Sequence, residues 1–245
     1  MNDTNADRQT TTLSIFEFAP AERPWAFVAM ATARRRLSRT DGLRFHRMMG
    51  AGRGPGFSAR PDFGRYGLLA VWNCREDAEQ FLAGSRFMAL YRHHAERITT
   101  WYLQPERADG AWDRDLPFAV PQPAPTTGGA DAEEPDDTRG VAVLTRATIR
   151  LRRLPRFLRS VPPVSRELAD APGLLYSIGI GELPWVRQAT FSVWESAERM
   201  KEFAYGAEHH RQVIRRTREE GWYSEDLFAR FRVIDRIDWQ EGAGG

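Results

Sequence analysis

The chain has 245 residues, 42 % hydrophobic and 28 % charged, with a net charge of +2 and one cysteine, Cys74. This suits a globular protein of one large or two small domains, and it excludes an internal disulfide or a cysteine-cluster metal site. No apolar run reaches the ~18 residues of a bilayer-spanning helix. Lys201 is the only lysine, and no zinc-finger spacing, helix-turn-helix signal or RNP-like strand points to nucleic acid.

Residues 1–11 are polar and acid-bearing, unlike a secretory signal, so they read as a disordered tail on a cytoplasmic protein. Apolar alternation predicts a strand over 13–19, a helix over 23–38, and strands over 43–49 and 65–72. A helix over 75–83 runs into a second helical stretch over 86–97, and a strand over 99–104 closes the set. Glu76, Asp77 and Glu79 suit the positive end of that helix dipole. The segment 105–139, with its core PQPAPTTGGADAEEPDD, is a proline-, glycine- and acid-rich linker. The same order then returns: strand 141–149, helix 153–169, strands 174–180 and 187–194, helix 196–204, helical stretch 207–219 and strand 229–236. Residues 239–245 form a tail.

The return is visible in the letters. VWNCREDAEQFLAG (71–84) lies over VWESAERMKEFAYG (193–206) without a gap, matching Val71, Trp72, Glu76, Phe81 and Gly84 to Val193, Trp194, Glu198, Phe203 and Gly206. GLRFHRMMG (42–50) lies over GLLYSIGIG (173–181), and LSIFEFAP (13–20) corresponds to VAVLTRATIR (141–150). A repeated βαββαβ order is the ferredoxin-like arrangement. The expected fold is therefore α+β: two tandem ferredoxin-like repeats, 12–104 and 140–238, placed sheet against sheet as an intrachain version of the dimeric α/β barrel. An apolar cleft between the two sheets is the expected binding space. The chain is a monomer if the halves satisfy each other, or a homodimer if an outer strand pairs with a second copy.

Five histidines are present, His46, His93, His94, His209 and His210, in no HExxH pattern, and GxSxG is absent. At the shared offset His210 stands opposite Met88 and His209 opposite Phe87, so the second half has imidazoles where the first has apolar side chains. An imidazole on the helix walling a ferredoxin-like pocket can ligate haem iron. The alternative is a solvated pair in the polar stretch AEHHRQ. His93 and His94 read as an exposed helix face. In MMGAGRGPGF (48–57) glycines alternate after a strand, but Pro55 and FSARPD argue for a long hairpin loop rather than a dinucleotide cradle. That loop can cap a pocket, with Arg53 as a donor to a haem propionate or to bound oxygen. On the preceding strand His46 faces away from Phe45 and Arg47, and one of those sides is the barrel interior. Trp72 and Trp194 end equivalent strands, as core packing first and pocket wall second. Cys74 at a helix start reads as a buried thiol, or as a thiolate ligand. RLRRLPRFLRSV (150–161) is a basic amphipathic helix that either rests on an anionic membrane surface or is an ordinary surface helix.

FHRMMGAGRGPGF (45–57), LTRATIR (144–150), GIGELPWVRQATFSVW (179–194), HRQVIRRTREEGWYSEDLFARF (210–231) and ARFRV (229–233) together resemble the spheroidene monooxygenase family over nearly the whole chain outside the tails and linker. The resemblance implies a haem-dependent (haem b) oxygenase consuming O2 and electrons from reduced ferredoxin. It would place a hydroxyl, then a keto group, near the end of an acyclic carotenoid. It further implies His210 as the metal ligand, and the loop Gly50–Phe57 with Arg53 and the strand from Trp185 to Trp194 as cofactor surroundings. The residues themselves leave His46 open as the other imidazole that could face the cofactor or act in catalysis. A lipophilic substrate favours a peripheral contact with the inner membrane surface. Two other readings fit the same barrel: a cofactor-free oxygenase, and a non-catalytic pigment-binding or stress protein.

Overall fold

The computed structural model describes residues 8–54, 56, 58, 60–121, 140–183, 185–206, 215–217 and 219–241. The first half runs β1 (Thr10–Glu17), α1 (Arg23–Leu37), β2 (Leu43–Gly52), β3 (Pro61–Trp72), α2 (Arg75–Gly84), α3 (Arg86–His94) and β4 (Arg97–Gly110). The second runs β5 (Val141–Ile149), α4 (Leu154–Ala169), β6 (Leu174–Leu183), β7 (Arg187–Trp194), α5 (Ala197–Gly206) and β8 (Tyr223–Gln240). The repeat is thus real in three dimensions. Much of the helical stretch expected over 207–219 lies outside the described residues.

All eight strands join one closed antiparallel barrel in the order β1-β3-β2-β6-β7-β5-β8-β4. Closure leaves no outer strand for a second chain to extend, which removes that route to a homodimer. The two seams between the halves differ. β4 and β8 pair from Arg97–Gln240 to Gly110–Leu227, with register shifts between Tyr102 and Leu103 and between Pro105 and Arg107, whereas β2 and β6 pair only at Gly50–Gly181 and Ala51–Ile180.

Alternate residues of the strands point inward and are mostly apolar, among them Leu13, Met49, Leu69, Trp101, Leu144, Ile178, Phe191 and Phe231. An eight-stranded barrel is just wide enough for its side chains to fill it. Here Trp101 meets Tyr176 at 4.6 Å and Phe191 at 5.4 Å, and Phe118 meets Phe231 edge-on at 5.0 Å. The space between the sheets is therefore a packed core and not the expected cleft.

Three boundaries differ from the sequence reading. β1 begins at Thr10, and Thr10 pairs with Trp72 as Val141 pairs with Trp194. The first strands of the repeats consequently match three residues earlier than the letters suggested. The threonine run reads as polar, yet Thr12 accepts a hydrogen bond from Trp72 Nε1 at 2.9 Å and Ser14 bonds Thr100 at 2.8 Å. These bonds satisfy the Thr12 and Ser14 hydroxyls within the sheet, while Thr11 Oγ1 is buried without a hydrogen-bond partner among the described residues. β4 extends to Gly110, inside the segment assigned to the linker, and β8 extends from Tyr223 to Gln240, into the assigned tail. Both are long because they pair with each other. Beyond β4, residues 111–118 fold over the barrel end and bury Trp112 and Phe118 in its core.

Candidate functional site

The repeat allows the two halves to be compared position by position on the outer face of the sheet, where the helices lie. In the first half Phe16, Tyr66, Leu68, Ala70 and Trp72 are buried there beneath Ala26, Ala29, Ala33, Phe81, Phe87, Met88 and Tyr91 of α1–α3. The strand pairings put Ala147 in place of Phe16, Gln188 of Tyr66, Thr190 of Leu68 and Ser192 of Ala70. On β6, Ser177 and Gly179 replace His46 and Met48. Ala147, Ser177, Gln188 and Thr190 are half-buried, and the Thr145 and Thr190 hydroxyls bond each other at 2.5 Å.

The helices match this change. α5 has no buried residue. Phe157 of α4, with Leu154 and Leu158, packs on Ile149, Trp222 and Tyr223 at the strand ends rather than at the centre of the sheet face. The second half therefore presents a sheet face of small and hydroxyl-bearing side chains, walled by α4 and α5. The chain continues from α5 directly into 207–214.

The glycine loop belongs to this place. β2 and β3 close at the Gly52–Pro61 pair, and the chain between them crosses to the second half. Gly56 N–H donates to Ser177 Oγ at 3.1 Å. A Cβ on Gly56, whose φ is +66°, would stand 3.2 Å from Leu168 Cδ2 and 3.6 Å from Ser165 Oγ of α4. A glycine is needed there both for the left-handed backbone and for the close approach.

The sequence-predicted residues fall as follows. His210 and His209 lie outside the described residues, in the segment that leaves α5. Arg53 is exposed on the glycine loop, its N–H held by Arg60 O at 3.0 Å. His46 points outward, since its neighbours Phe45 and Met49 pack in the barrel core. It faces α1, on the first half. Burial first, then the charges of Arg47 and Arg34, lower its pKa and keep the imidazole neutral. Trp194 also points outward: it is buried against Phe203 of α5 at 5.3 Å, and its Nε1 donates to Ser192 Oγ at 3.0 Å. Trp194 thus lies on the second-half face under α5, Arg53 lies on the loop whose Gly56 reaches that face, and His46 lies on the first half.

Two other groups are accounted for. The backbone N–H of Asp77 favours a Cys74 thiolate, but Glu76, burial and the Asp77 carboxylate outweigh it and push the thiol up. That disfavours Cys74 as a ligand. His94 is not an exposed surface histidine: it stacks on Trp25 at 3.8 Å and bonds Glu22 at 2.7 Å. Among the described residues no three His, Cys, Asp or Glu side chains are grouped to hold a metal ion.

Sequence reasoning missed Arg146. It occupies the barrel-interior position equivalent to Ile15, with its side chain 1 % exposed. It pairs with Glu225 and lies 3.8 Å from Asp113 and 3.9 Å from Glu182. Its guanidinium stands 5.3 Å from the Trp112 ring. Arg47 and Arg187 reach the same acids, Arg47 at 2.6 Å from Asp113 and Arg187 at 3.2 Å. The backbone N–H groups of Asp113 and Arg114 donate to Glu225 at 3.0 and 2.8 Å. Three arginines thus face three carboxylates, and the network pins the 111–118 segment across the barrel end. Its charges cancel internally, which suits a lock rather than an ionic binding site. The signal was legible, because Arg146 falls on the inward parity of Ala142 and Leu144.

No model of a protein family matches the chain. Among curated proteins it is 36 % identical over 236 residues to spheroidene monooxygenase of Cereibacter sphaeroides, covering 96 % of this chain and 69 % of that one. It is 34 % identical to spheroidene monooxygenase of Rhodobacter capsulatus, covering 91 % and 89 %. It is 32 % identical to that of Rubrivivax gelatinosus, covering 93 % and 83 %. Among solved structures, aldoxime dehydratase in complex with butyraldoxime superposes with a TM-score of 0.61 at 11 % identity, covering 96 % of this chain and 83 % of that one. A second aldoxime dehydratase structure gives 0.57 at 10 %, covering 94 % and 84 %. The structural likeness is one of fold.

Proposed function

The chain belongs to the spheroidene monooxygenase family of oxidoreductases, and from that premise we propose that it is a haem b-dependent oxygenase acting near the end of an acyclic carotenoid. The observation that carries the haem reading is the stripped outer face of the second half, where Ala147, Gly179 and Thr190 replace Phe16, Met48 and Leu68. Small side chains on the outer wall of the barrel make room for a planar group beneath the helices, and the residues present fit one.

In this reading His210, from the segment leaving α5, holds the iron, and Arg53 on the glycine loop meets the group's anionic edge. Trp194 fixes α5 against the sheet and so sets the height of the pocket wall. The loop anchored at Ser177 keeps water from the covered face. Haem supplies the oxygen activation that amino-acid side chains cannot provide. Each hydroxylation takes one O2, two electrons and two protons, with one oxygen entering a C–H bond and the other leaving as water. Two such events at one carbon, followed by loss of water, give the ketone. Reduced ferredoxin is the proposed electron donor.

The test is the absorption spectrum of the full chain expressed with a haem precursor, for wild type and His210→Ala, alongside product analysis in a carotenoid-producing host. A Soret band in wild type that is lost or shifted in the variant, with loss of the keto product, supports the assignment. A band unchanged by the substitution removes His210 as the ligand. Turnover without any band would leave the cofactor-free reading, and pigment binding without turnover the non-catalytic one.

A further inference from the structure

We propose that the outward face of α1, together with Phe63, docks this protein on an anionic phospholipid bilayer. A surface helix ordinarily turns its large apolar residues to the core. α1 does so only in part: it buries Ala26, Ala29, Ala33 and Leu37 and packs Trp25 and Met30 on the core, yet leaves Phe27 51 % and Val28 61 % exposed. Pro24 and Ala31 share that outer stripe at helical spacing and are exposed as well. Phe63, 53 % exposed on β3, sets its ring edge-on to Phe27 at 6.4 Å. These side chains form one continuous apolar tip.

The charges around the tip select the partner. α1 contains no carboxylate and ends in Arg34, Arg35 and Arg36, with Arg39 just beyond. All four are exposed, and none forms an ion pair with a described residue. At about 100° per residue, Arg34 and Arg35 fall two turns beyond Phe27 and Val28 and continue the same outer stripe to the end of the helix. An exposed apolar stripe that ends in long arginine side chains suits a helix lying in an anionic headgroup layer. The basic stretch 150–161 meets that requirement less well. Arg150 Nε donates to Tyr223 O at 3.0 Å, and Arg156 and Arg153 lie 2.7 and 3.8 Å from Glu220. Much of its charge is satisfied within the molecule.

The position of the tip is consistent with use. Phe63 stands two residues past Pro61, whose pairing with Gly52 closes the loop that lies on Ser177 and α4. Docking here brings that loop to the lipid surface, where a carotenoid resides. That consequence rests on the proposed substrate; the docking does not.

The experiment is sedimentation of the full chain with vesicles of phosphatidylcholine alone, or of equal parts phosphatidylcholine and phosphatidylglycerol. Wild type should bind the anionic vesicles and release as salt rises. Phe27→Ser with Val28→Ser and Phe63→Ser should lower partitioning about tenfold or more. Arg34→Gln with Arg35→Gln should remove the preference for anionic lipid, and Leu151→Ser with Arg152→Gln should change little. The proposal is overturned if wild type binds neither vesicle, or if the Leu151/Arg152 variant alone abolishes binding. It also falls if the apolar tip holds two copies together, seen as a dimer that the Phe27 variant dissociates. Soret absorbance read on the same samples keeps the outcome separate from the haem assignment, since the vesicle result stands whether or not a band is present.

Discussion

The two halves of the barrel share a backbone plan and differ in what their helices do. In the first, Phe16, Tyr66, Leu68 and Trp72 on the sheet meet Phe81, Phe87, Met88 and Tyr91 on the helices and form a closed second core. In the second, the equivalent sheet positions carry Ala147, Gln188, Thr190 and Trp194, and the buried cluster outside the barrel among the described residues is the small group around Ile149, Phe157 and Trp222. A helix laid on a sheet can either close a core or wall a site. A duplicated unit can assign one task to each copy: the first half closes a core, and in the reading proposed above the second half walls a site.

The strongest way to press that comparison is at Ile15 and Arg146, which occupy the same barrel position in the two halves. Arg146→Met leaves Glu225, Glu182 and Asp113 with one arginine fewer, and breaking such a buried pair costs about 3 kcal/mol, to be read by urea denaturation. The same variant should change the acid response. At Asp113 burial raises the pKa, but the hydrogen bond from Arg47 and the charges of Arg187, Arg47 and Arg146 outweigh it and lower it. At Glu225 burial again opposes, and the N–H groups of Arg114 and Asp113 together with Arg146 prevail. Carboxylates with lowered folded values add stability above the ordinary carboxylate range, and that stability is lost as pH falls through the lowered values. Without Arg146 those values rise, so acid unfolding should begin at higher pH. An unmoved midpoint would remove the lock.

Next comes an exchange between halves. Leu68→Thr gives the first half the second half's residue in a fully packed place and should cost about 2 kcal/mol. The reciprocal Thr190→Leu falls on a half-buried face and should shift stability by no more than about 0.5 kcal/mol, while lowering haem uptake in a Soret titration. Equal costs in both directions would mean the second half has a closed core after all. The smallest effect is at Ser177→Ala, which removes the hydroxyl holding Gly56 N–H. About 1 kcal/mol or less is expected, seen as faster proteolysis of the loop at unchanged global unfolding.

The letters carried the fold through a few strong signals. The Val-Trp pairs at 71–72 and 193–194 fixed the duplication, and duplication implied the barrel. They misplaced the start of β1 because threonines 10 to 12 look like coil until Trp72 and Leu103 are seen opposite them. They hid the ends of β4 and β8 because Glu106, Arg107 and Asp109 have no periodicity of their own and are ordered by a partner strand far away in sequence. For the site, alternation put His46 opposite Phe45 but could not say which side was inside. The same uncertainty concealed that Trp194 braces a helix instead of lining the barrel. Nothing in the composition of α1 distinguished its buried alanines from its exposed Phe27 and Val28, because both faces are apolar.

The unequal seams separate covalent continuity from structural continuity. The link from 121 to 140 joins the halves along the chain, but the long β4–β8 ladder joins them through hydrogen bonds. A polypeptide ending at 121 and another starting at 140 together contain every strand, and should reassemble on mixing. When the intact molecule breathes, Gly50, Ala51, Ile180 and Gly181 hold the short seam, so their amides should exchange with solvent deuterium before those of Thr99 or Thr100. The barrel behaves as a clasp, hinged along β4–β8 and fastened beside the glycine loop.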